Sequence, residues 1–209
     1  MPLVLPRFYP ILDASICPEL SLEEIARLLA GAGVRLIQLR AKEATSRTLL
    51  RQTRQLLSWL PPGCLLIVND RADLAALAGA AGVHLGQRDL PASRARQLLG
   101  GEKIVGLSTH NRQQVERAAS GPADYLAFGP IFPTPTKADS EPAVGCARLQ
   151  EVRRLTDKPL VAIGGISPEN AAEVMEAGAD SVAVISGWLA AEDIPRRLEE
   201  FRRALGRLD

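Results

Sequence analysis

The chain contains the run Asp124-Tyr125-Leu126-Ala127-Phe128-Gly129-Pro130, in which a short apolar segment stops at a glycine–proline pair. An uninterrupted apolar run of this kind is typical of a strand that is buried on both faces. Pro130 prevents the strand from continuing, because proline has no backbone N–H to donate. Residues 131–137, which come next, carry two more prolines, two threonines and a lysine. We expect this stiffened loop to present its hydroxyls and its ammonium group to an anion.

The same alternation of apolar runs with amphipathic segments extends along the whole chain. The predicted strands cover residues 8–12, 34–39, 65–68, 83–85, 103–107, 124–128, 160–163 and 181–185, and a helix is predicted after each of them. Strands that alternate with helices form a parallel sheet, and eight such units close most simply into an α/β fold, the (β/α)8 TIM barrel. The alternative is an open, doubly wound sheet, but the first strand–helix turn lacks the GxGxxG pattern of that fold. No linker rich in glycine or serine interrupts the pattern, so we expect residues 1–209 to form a single barrel domain.

Composition limits the classes of partner. Of the 209 residues, 46% are hydrophobic and 23% are charged, and the formal net charge is +1. Because there is no strong basic field, we expect neither nucleic acid nor a membrane surface as a partner. The three cysteines lie far apart without a CxxC pair, which indicates small buried residues in a reducing compartment. The sequence shows no signal peptide and no membrane-length apolar run, so we expect a cytoplasmic protein; homo-oligomer formation is left open.

Polar residues follow the second predicted strand, in the segment Gln38-Leu39-Arg40-Ala41-Lys42. The alternation of side chains along a strand places Gln38, Arg40 and Lys42 on one side. In a TIM barrel the carboxyl ends of the strands and the loops after them form the rim at which active sites lie. An amide, a guanidinium and an ammonium group at this rim favour an anionic ligand with several oxygens, because arginine binds such groups with two hydrogen bonds and lysine adds a point charge.

Two carboxylates reach the same rim. Asp70 follows the third predicted strand and Asp89 follows the fourth. Such a pair is either an acid–base couple or a set of hard oxygen ligands for a divalent cation. The cationic residues nearby favour the second interpretation, because Mg²⁺ is usually held by one or two carboxylates together with substrate phosphates. An ordinary ion pair between Asp70 and Arg71 is the alternative that assigns no function.

The last two predicted strands are followed by Gly164-Gly165 and by Ile185-Ser186. Loops after strands seven and eight of TIM barrels often bind phosphate, and glycine lets the backbone approach the ligand closely. These positions predict a second, smaller anion site. Of the two histidines, His84 lies within a strand and is predicted to be a core residue whose hydrogen bonds are satisfied, and His110 is assigned no proton-transfer role.

Five segments of the chain together resemble thiamine-phosphate synthases. They are Gln38-Leu39-Arg40-Ala41-Lys42, Asn69-Asp70-Arg71, Gly82-Val83-His84-Leu85-Gly86-Gln87 with Asp89, residues 129–137, and Ala162-Ile163-Gly164-Gly165-Ile166, in order between about Phe8 and Trp188. Each is a modest signal, but the set is highly specific. The resemblance implies a (β/α)8 barrel enzyme that joins 4-amino-2-methyl-5-(diphosphooxymethyl)pyrimidine to 4-methyl-5-(2-phosphooxyethyl)thiazole, giving thiamine phosphate and pyrophosphate.

The resemblance also implies a role for individual residues. The pyrimidine diphosphate would be held by Gln38, Arg40, Lys42, Asn69, Ser108 and Lys137, the Mg²⁺ by Asp70 and Asp89, and the thiazole phosphate by Thr134, Thr136, Gly165, Ile185 and Ser186. Within the first set, Lys137, Arg40, Lys42 and Ser108 would act in catalysis. In the family, pyrophosphate is thought to leave before the thiazole nitrogen captures a pyrimidine-methyl cation, so that no protein nucleophile is needed.

Two other functions stay open at this stage. One is the thiazole tautomerase that shares this barrel and works by proton transfer without Mg²⁺, and the other is a non-catalytic phosphate-ligand binding protein. The cationic and acidic residues at the rim favour the synthase. The sequence departs from the family pattern at Ala41, where an acidic residue is common, and at Gly187-Trp188, where smaller apolar residues are expected. Trp188 is therefore a candidate for reshaping the wall of the thiazole site.

Overall fold

The computed structural model describes residues 3–16, 20–134 and 142–209. Its eight strands are all parallel and close into a barrel in sequence order, with β8 pairing back to β1. The strands are β1 Phe8–Asp13, β2 Leu36–Arg40, β3 Leu65–Asn69, β4 Gly82–Leu85, β5 Ile104–Thr109, β6 Tyr125–Phe128, β7 Leu160–Ile163 and β8 Ser181–Val184. The predicted (β/α)8 barrel is confirmed, and the open doubly wound sheet is wrong because no strand of the barrel is left at an edge.

Helices follow the strands around the outside of the barrel. They are α1 Leu22–Gly31, α2 Ser46–Trp59, α3 Ala72–Ala78, α4 Ala92–Leu99, α5 Arg112–Ala119, α6 Gly145–Arg153, α7 Pro168–Glu176, α8 Ser186–Leu189 and α9 Ile194–Leu205. Ser21 caps α1 and exchanges hydrogen bonds with Glu24, which is the capping box that these residues predict. The four-residue α8 was not predicted, because one helical turn is too short to show a hydrophobic period.

Alternate residues of each strand face two different cores. Side chains such as Phe8, Leu12 and Ile37 pack outward against the helices, whereas Tyr9 and Ile11 fill the barrel interior. This alternation sends the polar residues of the same parity inward as well. The interior near the carboxyl ends of the strands is consequently polar, and there the candidate site lies.

Trp188 belongs to the outward-facing core. It is fully buried, and its indole nitrogen donates hydrogen bonds to the carbonyl oxygens of Ile11 and Val184. The side chain therefore ties α8 to β1 and β8. The prediction that Trp188 shapes the wall of a ligand site is wrong, because its ring packs among core residues.

The cysteines differ in part from the prediction. Cys64 and Cys146 are free thiols, as expected, but both are half-buried rather than buried. Cys17 lies outside the described residues. Among the described residues no helix is both long enough and apolar enough to cross a membrane.

Candidate active site

Gln38 and Arg40 both point to the inside of the barrel, but they lie at different depths. Gln38, in the middle of β2, is almost fully buried and donates a hydrogen bond from Nε2 to the Tyr9 hydroxyl over 3.0 Å. Arg40, at the end of β2, forms an ion pair through Nη1 with Asp13. The prediction that these side chains share one side is confirmed, but Gln38 lies deeper than a rim residue.

Asp13 is the partner that orients Arg40. It ends β1 directly beside Arg40 in the strand register, and its side chain is 3% exposed. Its other carboxylate oxygen accepts hydrogen bonds from the backbone N–H and the hydroxyl of Ser15, at 3.1 and 2.7 Å. A guanidinium has five N–H donors, so Asp13 can fix its plane through Nη1 and leave further donors to direct elsewhere.

Lys42, Asp70 and Asp89 form a charged cluster at the rim. The Lys42 ammonium lies 3.9 Å from Oδ2 of Asp70, and the carboxyl groups of Asp70 and Asp89 are within hydrogen-bonding range of each other. Oδ2 of Asp89 also accepts a 2.6 Å hydrogen bond from the backbone N–H of Gly86. Arg71 pairs with Asp73 instead, so the predicted alternative of an Asp70–Arg71 ion pair is wrong.

Asp70 is in an unusual state for an aspartate. Burial and the adjacent Asp89 raise the pKa of Asp70 to about 6, against the opposing effect of Lys42 and Arg40. Its φ is 64°, in the left-handed region that few residues other than glycine adopt. Backbone strain and an unfavourable carboxylate charge at the same residue both lower the stability of the fold. Such features are typical of functional sites, where the position of a side chain matters more than its contribution to stability.

A chain of hydrogen bonds crosses the barrel below this cluster. The Tyr9 hydroxyl lies 3.0 Å from that of Tyr125, which in turn lies 2.9 Å from Nδ1 of His84. Nε2 of His84 lies 2.8 Å from the Ser108 hydroxyl. Both ring nitrogens of His84 are thus engaged, which confirms the prediction of a satisfied core histidine. His110 is also engaged, with Nδ1 2.6 Å from the Gly129 carbonyl oxygen.

The ends of β7 and β8 lie together on the other side of the rim. Gly165 has φ 65°, and a Cβ placed on it would lie 2.6 Å from the carbonyl oxygen of Pro133 in the β6–α6 loop. A Cβ on Gly187 in α8 would lie 2.4 Å from the carbonyl oxygen of Ile166. These two contacts bring the loops after β6, β7 and β8 next to one another, as a phosphate site built from backbone requires.

The structure gathers the predicted residues in two groups. One group, at β2 to β5, comprises Gln38, Arg40, Lys42, Asn69, Asp70, Asp89 and Ser108, and the other, at β7 and β8, comprises Gly165, Ile185 and Ser186. Thr134, next to Pro133 in the β6–α6 loop, is the last residue described before residue 142. Thr136 and Lys137 lie outside the described residues.

Three side chains of the site were not predicted from the sequence. They are Asp13, Tyr9 and Tyr125. The alternation along β1 and β6 carries the necessary signal, since it places all three on the inward side of their strands. Applying the parity of Gln38 and Arg40 to the neighbouring strands would have identified them.

A family model described as thiamine monophosphate synthase matches residues 8–188. The chain belongs to this family. The thiamine-phosphate synthase of Koribacter versatilis is 49% identical over 207 residues, which are 97% of either chain. That of Albidiferax ferrireducens is 45% identical over 188 residues, covering 90% of this chain and 86% of the relative.

A solved structure supports the same assignment. The thiamine phosphate pyrophosphorylase from Pyrococcus furiosus superimposes with a TM-score of 0.83 at 33% sequence identity, covering 96% of this chain and 95% of that one. The resemblance carried by the five sequence segments is therefore confirmed, and with it membership of a family of enzymes that act on small molecules in thiamine biosynthesis.

Proposed function

We propose that the chain is a thiamine-phosphate synthase that joins the pyrimidine diphosphate and the thiazole phosphate named above, giving thiamine phosphate and pyrophosphate. The observation that carries the proposal is the Asp70–Asp89 carboxylate pair beside Lys42, at the end of the barrel where Arg40 also emerges. A phosphate site alone needs cations only. Adjacent carboxylates are unfavourable next to a diphosphate unless a metal cation lies between them.

The residues fit a magnesium ion. Carboxylate oxygens are the ligands that Mg²⁺ prefers, and it is commonly held by two of them together with substrate phosphates. No group of three or more histidine, cysteine or acidic side chains in the described part of the chain could hold a metal, and this agrees with a site that the substrate completes. Asp70 and Asp89 would hold the ion, which supplies positive charge to the diphosphate when bound.

The first group of residues serves the pyrimidine diphosphate. Arg40, Lys42, Asn69 and Ser108, with Lys137 from the loop, bind the diphosphate oxygens, and Gln38 lines the pyrimidine end deeper in the barrel. Positive charge and hydrogen-bond donors fixed at this place stabilise the charge that develops on the leaving group, which is the effect that lowers the barrier. Arg40 is well suited because Asp13 holds its guanidinium in one orientation.

The second group serves the thiazole phosphate. Gly165, Ile185 and Ser186 lie at adjoining strand ends. Thr134 belongs to the neighbouring β6–α6 loop, and Thr136, outside the described residues, completes the proposed set. Asn170 steadies the backbone here by donating from Nδ2 to the Gly165 carbonyl oxygen over 3.0 Å. Anchoring the phosphate at this side holds the thiazole nitrogen toward the pyrimidine, so that the two substrates react as one bound pair.

The chemistry then requires little from the protein beyond placement and charge. The bond between the pyrimidine methylene carbon and the diphosphate oxygen breaks, and its electron pair leaves with pyrophosphate. The lone pair of the thiazole nitrogen forms the new carbon–nitrogen bond. No side chain becomes covalently attached in this sequence of steps.

Pyrophosphate release by the purified chain tests the proposal. Given both substrates and Mg²⁺, the protein is expected to release pyrophosphate and to form thiamine phosphate in equal amounts, and to do neither with one substrate or with EDTA. Isomerisation of a thiazole phosphate without metal would establish the tautomerase instead. Binding of the thiazole phosphate without any turnover would establish the binding protein.

Gly165→Ala is expected to weaken the thiazole phosphate site. The new methyl group would collide with the β6–α6 loop and would also be strained at φ 65°. We expect the KM for the thiazole phosphate to rise about tenfold, which corresponds to about 1.4 kcal/mol, with a smaller change in the KM for the pyrimidine diphosphate. Steady-state kinetics with each substrate varied in turn measures both values.

Gly33→Ala is the matched control for this prediction. Gly33 has φ 77°, so alanine there carries the same kind of backbone strain, but nothing lies within 4 Å of the added methyl group. It is expected to lower the thermal midpoint without changing either KM. If both variants change the KM for the thiazole phosphate equally, Gly165 does not belong to the site.

A further inference from the structure

The hydrogen-bond chain inside the barrel links the two ends of the proposed diphosphate site. It runs from Gln38 through Tyr9, Tyr125 and His84 to Ser108. All five side chains belong to residues that are 8% exposed or less. The proposed function uses only Gln38 and Ser108 and gives no task to the three residues between them.

One direction of the chain gives every buried hydroxyl hydrogen an acceptor. Either phenol can donate in the contact between Tyr9 and Tyr125, but Nε2 of Gln38 already donates to the Tyr9 oxygen, so the hydrogen of Tyr9 is satisfied when it is directed to Tyr125. In this order the hydrogen of Tyr125 is directed to Nδ1 of His84. Burial raises the pKa of both phenols, so both keep the hydrogens that this order needs. A neutral imidazole that accepts at Nδ1 carries its proton on Nε2.

We propose that His84 is a positioning residue, held as the neutral Nε2–H tautomer, that donates to the Ser108 oxygen and so turns the Ser108 hydroxyl hydrogen away from the imidazole and toward the diphosphate. The inference rests on the proposed function, because Ser108 must contact the leaving group for its direction to matter. Phosphate oxygens accept hydrogen bonds and do not donate them. A serine that already presents its hydrogen needs no reorientation as charge develops.

Strand β5 is built to accommodate this chain. Gly106 lies opposite His84 on one neighbouring strand and opposite Tyr125 on the other. A Cβ on Gly106 would lie 2.1 Å from Cζ of Tyr125 and 2.6 Å from Nδ1 of His84. Only glycine leaves room for the two rings, which stack with their centroids 5.5 Å apart. Glycine inside a strand is less favourable than alanine, so the space for the rings is kept at a cost in stability.

Two amide substitutions at His84 separate the functions of its ring nitrogens. His84→Gln places an amide nitrogen near the Nε2 position, where it can still donate to Ser108. His84→Asn places its amide near the Nδ1 position, where it can contact Tyr125 but cannot reach Ser108. We expect both His84→Asn and Ser108→Ala to lower kcat for pyrophosphate release by about 10²-fold, and His84→Gln to retain at least tenfold more turnover than His84→Asn.

A double variant tests whether the effect passes through Ser108. His84→Asn combined with Ser108→Ala is expected to be no slower than Ser108→Ala alone, because the direction of a missing hydroxyl cannot matter. The effect should fall on kcat more than on the KM for the pyrimidine diphosphate. Equal losses in the two His84 variants, or losses that multiply in the double variant, would overturn the proposal.

The tautomer itself is measurable without any substrate. Imidazole nitrogen-15 NMR of the wild type should show His84 with its proton on Nε2. His110 should show the opposite tautomer, because its Nδ1 donates to the Gly129 carbonyl oxygen, and a His110→Gln variant assigns the two signals. If the enzyme is active but His84 carries its proton on Nδ1, the inference is overturned. An inactive wild type with the expected tautomer instead overturns the proposed function, and with it the role at the diphosphate.

Discussion

Asp70→Asn is expected to lower turnover by about 10²-fold or more and, at the same time, to stabilise the protein in EDTA at pH 7.5. Turnover falls because an amide is a poor substitute for one of the two carboxylates proposed to hold Mg²⁺, and the leaving pyrophosphate then loses a source of charge stabilisation. Part of the activity should return at high Mg²⁺, since Asp89 remains. Asparagine tolerates the left-handed φ of this position as aspartate does, so the backbone adds no separate effect.

The stabilisation in EDTA follows from the pKa of Asp70. In the folded protein this pKa is raised to about 6, from an ordinary value of 3.8, chiefly by burial and by Asp89. Protonation therefore favours the folded state. This contribution is fully present below about pH 4 and is lost as the pH rises through about 6. Asparagine resembles the protonated acid at every pH, so its advantage grows as the pH rises from about 4 to about 6, is complete above 6 and disappears below about 4.

Asp73→Asn is the matched control. Asp73 lies three residues further along the chain, in the first turn of α3, pairs with Arg71 and is half exposed. Its replacement should leave turnover within about twofold of the wild type, because Asp73 is not one of the proposed metal ligands. The replacement should also change stability little, because an exposed ion pair contributes little to the free energy of unfolding. Thermal unfolding with EDTA at about pH 4 and at pH 7.5, together with turnover across a Mg²⁺ titration, measures all of these effects. Unchanged turnover in Asp70→Asn would remove Asp70 from the metal site.

The barrel could be predicted from sequence because its signals are local and repeated. Each strand is an apolar run that ends at glycine, proline or a polar cluster, and the eight repeats leave one simple way of closing. Bounds shifted by one or two residues, as in β2, where the predicted 34–39 became Leu36–Arg40. Such shifts arise because strand pairing, rather than composition, decides which residue enters the ladder.

The contacts inside the site could not be predicted in the same way. Sequence parity places Gln38 and Arg40 on the inward side, but it does not say that one binds Tyr9 and the other Asp13. Those partners come from strands that are distant in the chain and are set by the stagger of the barrel. The raised pKa of Asp70 is likewise a property of the assembled rim, because it depends on burial and on Asp89 from another loop.

Asp13 gives the second prediction, which concerns stability. The carboxylate and Arg40 are largely buried, with 3% and 13% of their side chains exposed. Removing one partner of a buried ion pair leaves the other charge uncompensated, at a typical cost of about 3–5 kcal/mol. We expect Asp13→Ala to lower the free energy of unfolding by about 3 kcal/mol, at the lower end of this range, because Arg40 lies close to the solvent-facing rim. The substitution also leaves the hydroxyl and the backbone N–H of Ser15 without their acceptor. Denaturant unfolding measures the change.

The pair also predicts an energetic coupling that a general loss of packing would not produce. The loss of unfolding free energy in the double variant Asp13→Ala with Arg40→Ala should be smaller than the sum of the losses in the two single variants, by at least about 1 kcal/mol. Each single change leaves one charge without its partner, whereas the double change removes both charges. Glu23→Ala, which breaks the exposed pair with Arg27, should cost under about 1 kcal/mol and serves as the control. Because Asp13 fixes the guanidinium, Asp13→Ala should also raise the KM for the pyrimidine diphosphate, whereas Glu23→Ala should not. Strict additivity in the double variant would mean that Arg40 is held in place by the barrel wall rather than by Asp13.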